Sequence, residues 1–195
     1  MNFLRWAQRT LFAFAFLAFA YCGYVLTESW IFQRDETRNL ERLVLARQTT
    51  IIDTSPQASP APRIAPGALI GRIEVKRLGL SVVVVEGTDG PTLKRAAGHI
   101  PGTALPGQAG NAGIAAHRDT YFRPLRSIRK DDVIDVTTPS GGFRYRVVST
   151  TIVSPDDVSV LNSDGMDVLT LVTCYPFNYI GSAPNRFIVR AERIS

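Results

Sequence analysis

The sequence predicts a mainly β domain, a closed or nearly closed barrel of seven or eight short strands with brief helices, carried behind an N-terminal apolar helix. Three observations predict it. Runs of four to eight β-branched and apolar residues recur from Ala68 onward. Gly, Pro, Asn and Asp punctuate them at short intervals. The first part of the chain is instead a long apolar run followed by a charged, helix-periodic one.

Residues 1–10 carry Arg5 and Arg9 and are expected on the cytoplasmic side. Leu11 to Leu26 is an aromatic-rich apolar run of 16 residues, with Glu28 after it and Trp6, Trp30 and Phe32 placed to sit at two interfaces. Residues 11–32 are therefore expected to be a transmembrane signal anchor, with the N-terminus cytoplasmic and everything after it outside. A cleaved signal peptide is the alternative, because Ala18-Phe19-Ala20 has the small-x-small form of a cleavage site. Helical patterning continues past that site through Leu40, Leu43, Val44 and Arg47, which favours the anchor and makes 33–52 an amphipathic stalk. Residues 53–67, DTSPQASPAPRIAPG, form a Pro/Ala/Ser linker too poor in apolar residues to pack.

The folded domain is expected over 68–195. Ile70, Ile73 and Val75 open it, and Leu80 to Val85 is a valine-rich strand after a Gly79 turn. Pro91 to Ala97 has the signals of a short helix, with Asp89 near its start and Gly98 at its end, which leaves His99 in a loop. Asn111 to Ala116 is a short apolar strand leading into His117, and Phe122 to Ile128 suits one or two helical turns. Val133–Val136 and Phe143–Val148 flank Thr138-Pro139-Ser140-Gly141-Gly142 as a hairpin. Asp167–Thr173 and Arg186–Arg190 are the last strands, joined by a loop rich in Pro, Gly and aromatic residues.

Charge excludes little but is informative. The net charge is +5, and the segment from Ala68 holds 15 Lys and Arg against 12 Asp and Glu with no block of one sign. A nucleic-acid partner has little electrostatic support in such a pattern. The two cysteines are Cys22, inside the apolar run, and Cys174. A thiol within a bilayer cannot pair with one on an exported domain, so Cys174 is expected to be free in an oxidising compartment, where a lone thiol calls for a chemical role or a buried, hydrophobe-like one.

Chemistry converges on that cysteine. If the two last strands form one antiparallel hairpin, Arg186 lies across the ladder from Cys174. A guanidinium beside a sulfur favours the thiolate and can stabilise oxyanion charge in acyl transfer. A cysteine nucleophile also needs a proton carrier, and the chain has only His99 and His117. Two histidines and one usable cysteine make no persuasive zinc site, and Gly107 to Gly113 is followed by no Walker lysine, so neither metal nor cofactor is expected.

Thr170-Leu171-Val172-Thr173-Cys174 with Arg186 twelve positions on, and His117-Arg118-Asp119 upstream, resembles the signature of the sortases. The strings GHIPGTALPG, HRDTYFRPLR and TLVTCYPFNYIGSAPNRFIV are most similar to the class D branch, and the resemblance runs from about Ile70 to Arg190. It implies a closed eight-stranded barrel, a membrane anchor, and a cysteine transpeptidase in which Cys174 is nucleophile, His117 the acid/base and Arg186 the support of substrate and oxyanion. It further implies partners: surface or secreted proteins bearing an LPxT-type sorting signal, and an amine acceptor in the cell envelope. Ala116 departs from the glycine common before the family's histidine. Asp119 is expected to cap the following turn rather than orient His117, and His99 to line or shape the substrate groove. A cysteine peptidase that prefers water, and a peptide- or glycan-binding barrel without chemistry, are the competing functions.

Overall fold

The computed structural model describes residues 2–50, 64–163 and 165–195. Most of the expected linker, 53–67, lies outside the described residues; only its last four positions fall within them. Helix α1 is continuous from Asn2 to Thr50. It contains a stretch, Gln8–Arg47, long and apolar enough by length and composition to cross a membrane. Strands β1 (Leu69–Val75) and β2 (Leu80–Glu86) follow, then the short helix α2 (Gly90–Arg95) and strand β3 (Ala97–His99). Next come β4 (Asn111–Ala115), β5 (Val133–Thr138), β6 (Gly141–Val153), β7 (Val168–Tyr175) and β8 (Asn185–Arg193). Single 3₁₀ turns occupy Lys76–Leu78, Arg123–Ser127 and Val158–Leu161.

The eight strands close into a barrel in the order β1-β2-β3-β4-β7-β8-β6-β5, as expected. Most ladders are antiparallel, but β2 with β3 and β4 with β7 are parallel. Alternation along the strands sends Ile73, Val75, Val82, Ile114, Ile134, Leu169, Leu171 and Val189 into one core with Phe122 and Tyr145, all almost without exposure. Closure brings backbones near one another at Gly71, where any Cβ would strike the Thr137 carbonyl across the β1–β5 seam. The β5–β6 hairpin is tighter than expected: Thr138 pairs with Gly141, and only Pro139 and Ser140 form its turn.

One segment differs from expectation. Helix α2 stops at Arg95, and Ala97-Gly98-His99 is a strand rather than a helix end and loop. Asp89 does cap the helix by accepting from the Thr92 N–H, as expected. The glycine that resembles a helix stop is needed for packing, because a Cβ on Gly98 would meet the Gly87 carbonyl.

The barrel has two ends. Val75, Ala115, Cys174, Val153 and Arg186 lie at or toward one end; Leu69, His99, Asn111, Val168 and Thr138 lie toward the other. The candidate site occupies the first.

Candidate active site

Cys174 is the penultimate residue of β7, and its register partner across the antiparallel ladder is Arg186. Facing residues on such a ladder have Cα atoms about 4.5–5.5 Å apart. Cys174 is half-buried and its thiol is free. The Arg186 guanidinium is held by Nη1, which donates to the carbonyls of Asn185 at 3.1 Å and Ala183 at 3.4 Å. Its charge is permanent, and among the described residues no carboxylate forms an ion pair with it.

His117 arrives from the other side of β7. The parallel register pairs Ala115 with Val172, and the Ala116 N–H extends that ladder by donating to the Val172 carbonyl at 3.2 Å. Two further residues in the same register bring His117 level with Cys174. Beside them the buried Thr173 donates its hydroxyl hydrogen to the Ala116 carbonyl at 2.8 Å. The chain then turns away from the strand, closed by the Phe122 N–H bond to the His117 carbonyl at 3.1 Å, which leaves the His117 side chain exposed. Ala116 has an ordinary backbone and is buried, so the methyl that replaces the family's glycine is accommodated.

Cys174, His117 and Arg186 line one open cavity of about 350 Å³ together with Arg118, Asp119, Gly181, Ser182 and Ala183. All three sequence-derived site residues are thus brought together. Asp119 lines the cavity but does not cap the turn, which main-chain bonds close instead. His99 is not part of the site. It sits 2% exposed toward the opposite end of the barrel, its Nδ1 2.6 Å from a Glu86 carboxylate oxygen and its Nε2 2.9 Å from the Ala104 carbonyl oxygen. A groove residue needs an open face, and His99 has none.

Sequence reasoning missed Arg118. Its Nη2 donates to the carbonyls of Tyr179 at 2.7 Å and Gly181 at 3.0 Å, and its guanidinium lies 5.9 Å from the Tyr179 ring centre. It therefore clips the β7–β8 loop onto the residue next to His117. Its Nη1 is buried without a partner among the described residues, a donor that costs free energy unless something at the cavity accepts from it. The loop itself is anchored by the packed rings of Tyr175, Phe177 and Phe187, with centroids 5.3–6.3 Å apart, and it exposes Ile180 almost completely.

The arrangement places a thiol, an imidazole and a fixed cation around one space, which is the equipment of nucleophilic acyl transfer. Residues 73–194 match the family model described as the sortase domain. The chain is 35% identical to sortase D of Bacillus subtilis over 130 residues, 66% of each chain. It is 27% identical to sortase A of Listeria monocytogenes over 146 residues, covering 73% of this chain and 63% of that one. The match therefore spans just under two thirds of these relatives' own length. Among solved structures, a Clostridium perfringens sortase D5 transpeptidase is similar with a TM-score of 0.66 and 27% identity, covering 84% of this chain and 96% of that one.

Proposed function

The chain belongs to the sortase family, most like its class D members, and from that premise we propose that it is an extracytoplasmic, membrane-anchored cysteine transpeptidase. Its substrates are proteins bearing an LPxT-type sorting motif, and its second substrate is an amine of the cell envelope. The observation that carries this reading is the Cys174–Arg186 register pair sharing one cavity with His117.

In the competent form Cys174 is a thiolate and His117 an imidazolium. The sulfur attacks the carbonyl carbon of the motif's threonine, and the C=O electrons move to oxygen. Arg186 and a backbone N–H stabilise that oxyanion, donors fixed before the reaction and so without reorganisation cost. His117 gives its proton to the departing amine as the C–N bond breaks, leaving a thioacyl enzyme and a neutral imidazole. The incoming amine then attacks the thioester. His117 takes the proton that the new amide nitrogen loses, and the thiolate departs. Water in place of the amine gives hydrolysis.

Arg5 and Arg9 before the apolar run support an N-terminus in the cytoplasm and a barrel outside. The test is mass spectrometry of the purified protein incubated with LPxT-type peptides. The expected result is an acyl adduct on Cys174 that an added amine releases as a new amide. A protein that binds the peptide without any adduct is a binding module, and an adduct that only water discharges marks a peptidase.

A further inference from the structure

The half of α1 expected as an amphipathic stalk lies against the barrel. Gln33 uses both ends of its amide to do so. Its Oε1 accepts from the Val83 N–H at 2.9 Å, and its Nε2 donates to the Arg95 carbonyl at 2.6 Å. Both are main-chain groups that regular structure leaves open. Val83 lies one residue short of the parallel β2–β3 pairing, which begins at Val84. Arg95 ends α2, where carbonyls have no helical partner. Phe32 packs with Val83, Val85 and Ala96, and the Arg95 guanidinium covers its ring at 4.9 Å. Farther along, Leu40 is 1% exposed, Glu41 faces Arg72 at 4.0 Å, and Arg47 donates to the Pro139 carbonyl at 3.3 Å. From Ser29 to Arg47 the contact covers about 27 Å of helix, roughly the width of the barrel.

The docked region begins where the apolar run ends. Ser29 is three residues past Leu26, and its Oγ donates to the Lys94 carbonyl at 3.4 Å. Gln33 is only about 10 Å beyond Leu26 along the axis. Trp30, exposed beside Arg34, marks the interfacial level between them. The barrel surface formed by Lys94, Arg95 and Tyr121 therefore starts at the height of the headgroups. Tyr121 Oη donates to the same Arg95 carbonyl that Gln33 grips, at 2.8 Å. Four Cα-to-Cα steps of chain, at most about 14 Å, separate Tyr121 from His117.

We propose that α1 is a rigid strut that seats the barrel on the outer membrane surface in one orientation, with the Lys94–Tyr121 side toward the lipid headgroups. The Cys174–His117 cavity then lies within about 25 Å of the bilayer. A motif on a membrane-held chain reaches it through a spacer of roughly seven extended residues. Exposed Lys94 suits an anionic lipid surface. The inference rests on the membrane-anchored reading above and adds to it a fixed geometry that a flexible tether does not have.

The test uses the full chain in phosphatidylglycerol-containing vesicles. In a Cys22→Ser, Cys174→Ser background, Ser29→Cys with Lys94→Cys should be bridged within one molecule, in most molecules, by a short bis-maleimide. Absence of that crosslink overturns the strut. The crosslink needs no turnover, so its formation in a chain whose wild type gives no acyl adduct would leave the strut standing while the transpeptidase reading fails. The second arm is the Phe32→Ala/Gln33→Ala double variant with Cys174 intact. Loss of a fixed orientation should lower transfer from a vesicle-embedded motif peptide about tenfold, through lost effective concentration, while a soluble motif peptide reacts within about twofold of wild type. Equal rates on the embedded peptide for variant and wild type would overturn the proposal.

Discussion

Thr173 donates its hydroxyl hydrogen to the Ala116 carbonyl at 2.8 Å, joining the residue before Cys174 to the residue before His117. Both partners are buried, so the bond has no competition from water. It fixes the separation of two strands at the point where each delivers a candidate catalytic side chain.

Thr173→Val keeps the shape of the side chain but leaves the Ala116 carbonyl without that donor. The expected cost is about 1–3 kcal/mol of stability in denaturant titration. Misplacement of His117 against Cys174 should lower kcat more than folding alone explains, by roughly tenfold to 10²-fold. A variant that is less stable but turns over normally would reduce Thr173 to a packing residue.

Arg118 ties the β7–β8 loop to the His117 turn through the Tyr179 and Gly181 carbonyls. Arg118→Ala removes both bonds and should let the cavity wall formed by Gly181, Ser182 and Ala183 move. We expect KM for a motif peptide to rise about tenfold, the order of one lost charged hydrogen bond, with a smaller change in kcat. Steady-state kinetics separates the two. A pure kcat effect would instead place Arg118 in the chemistry.

How much of this was legible in the sequence depends on the separation of the partners. Cys174 and Arg186 belong to one local hairpin, so their spacing alone puts them face to face. The β4–β7 ladder joins residues more than fifty positions apart in parallel, and no local pattern announces it. His117 beside Cys174 therefore came from family resemblance, not from periodicity. Gly98 misled because a glycine after a helical run has the form of a helix stop, whereas here it admits the Gly87 carbonyl. Gln33 was silent for a related reason. Its partners are main-chain groups, which carry no residue signature.

The burial of His99 has its own consequence. Its ring bridges Glu86 and Ala104 inside the barrel, away from the cavity. His99→Ala should therefore destabilise the fold, by about 2–4 kcal/mol for a buried polar side chain and its unpaired neighbours. Activity per folded molecule, normalised by circular dichroism or active-site titration, should stay within about twofold, well short of the 10²-fold loss of a general acid/base. His117→Ala is expected to show the reverse, full stability and little turnover. Severe loss of turnover in a fully folded His99→Ala protein would return that residue to the mechanism.

Arg186 carries the sharpest expectation. Its backbone faces Cys174, and Nη1 is engaged by two carbonyls, which holds the guanidinium plane in place. Arg186→Lys keeps the charge and loses the planar fork, together with the geometry those carbonyls fix. If the guanidinium stabilises the tetrahedral oxyanion, kcat should fall by roughly 10²- to 10³-fold. Alkylation of Cys174 by a small thiol reagent forms no oxyanion, so its rate should change far less than turnover does. Measuring both on the same preparation separates a positioned donor from a merely adjacent charge. Near-normal turnover in Arg186→Lys would move the oxyanion role to the main-chain N–H groups around Cys174.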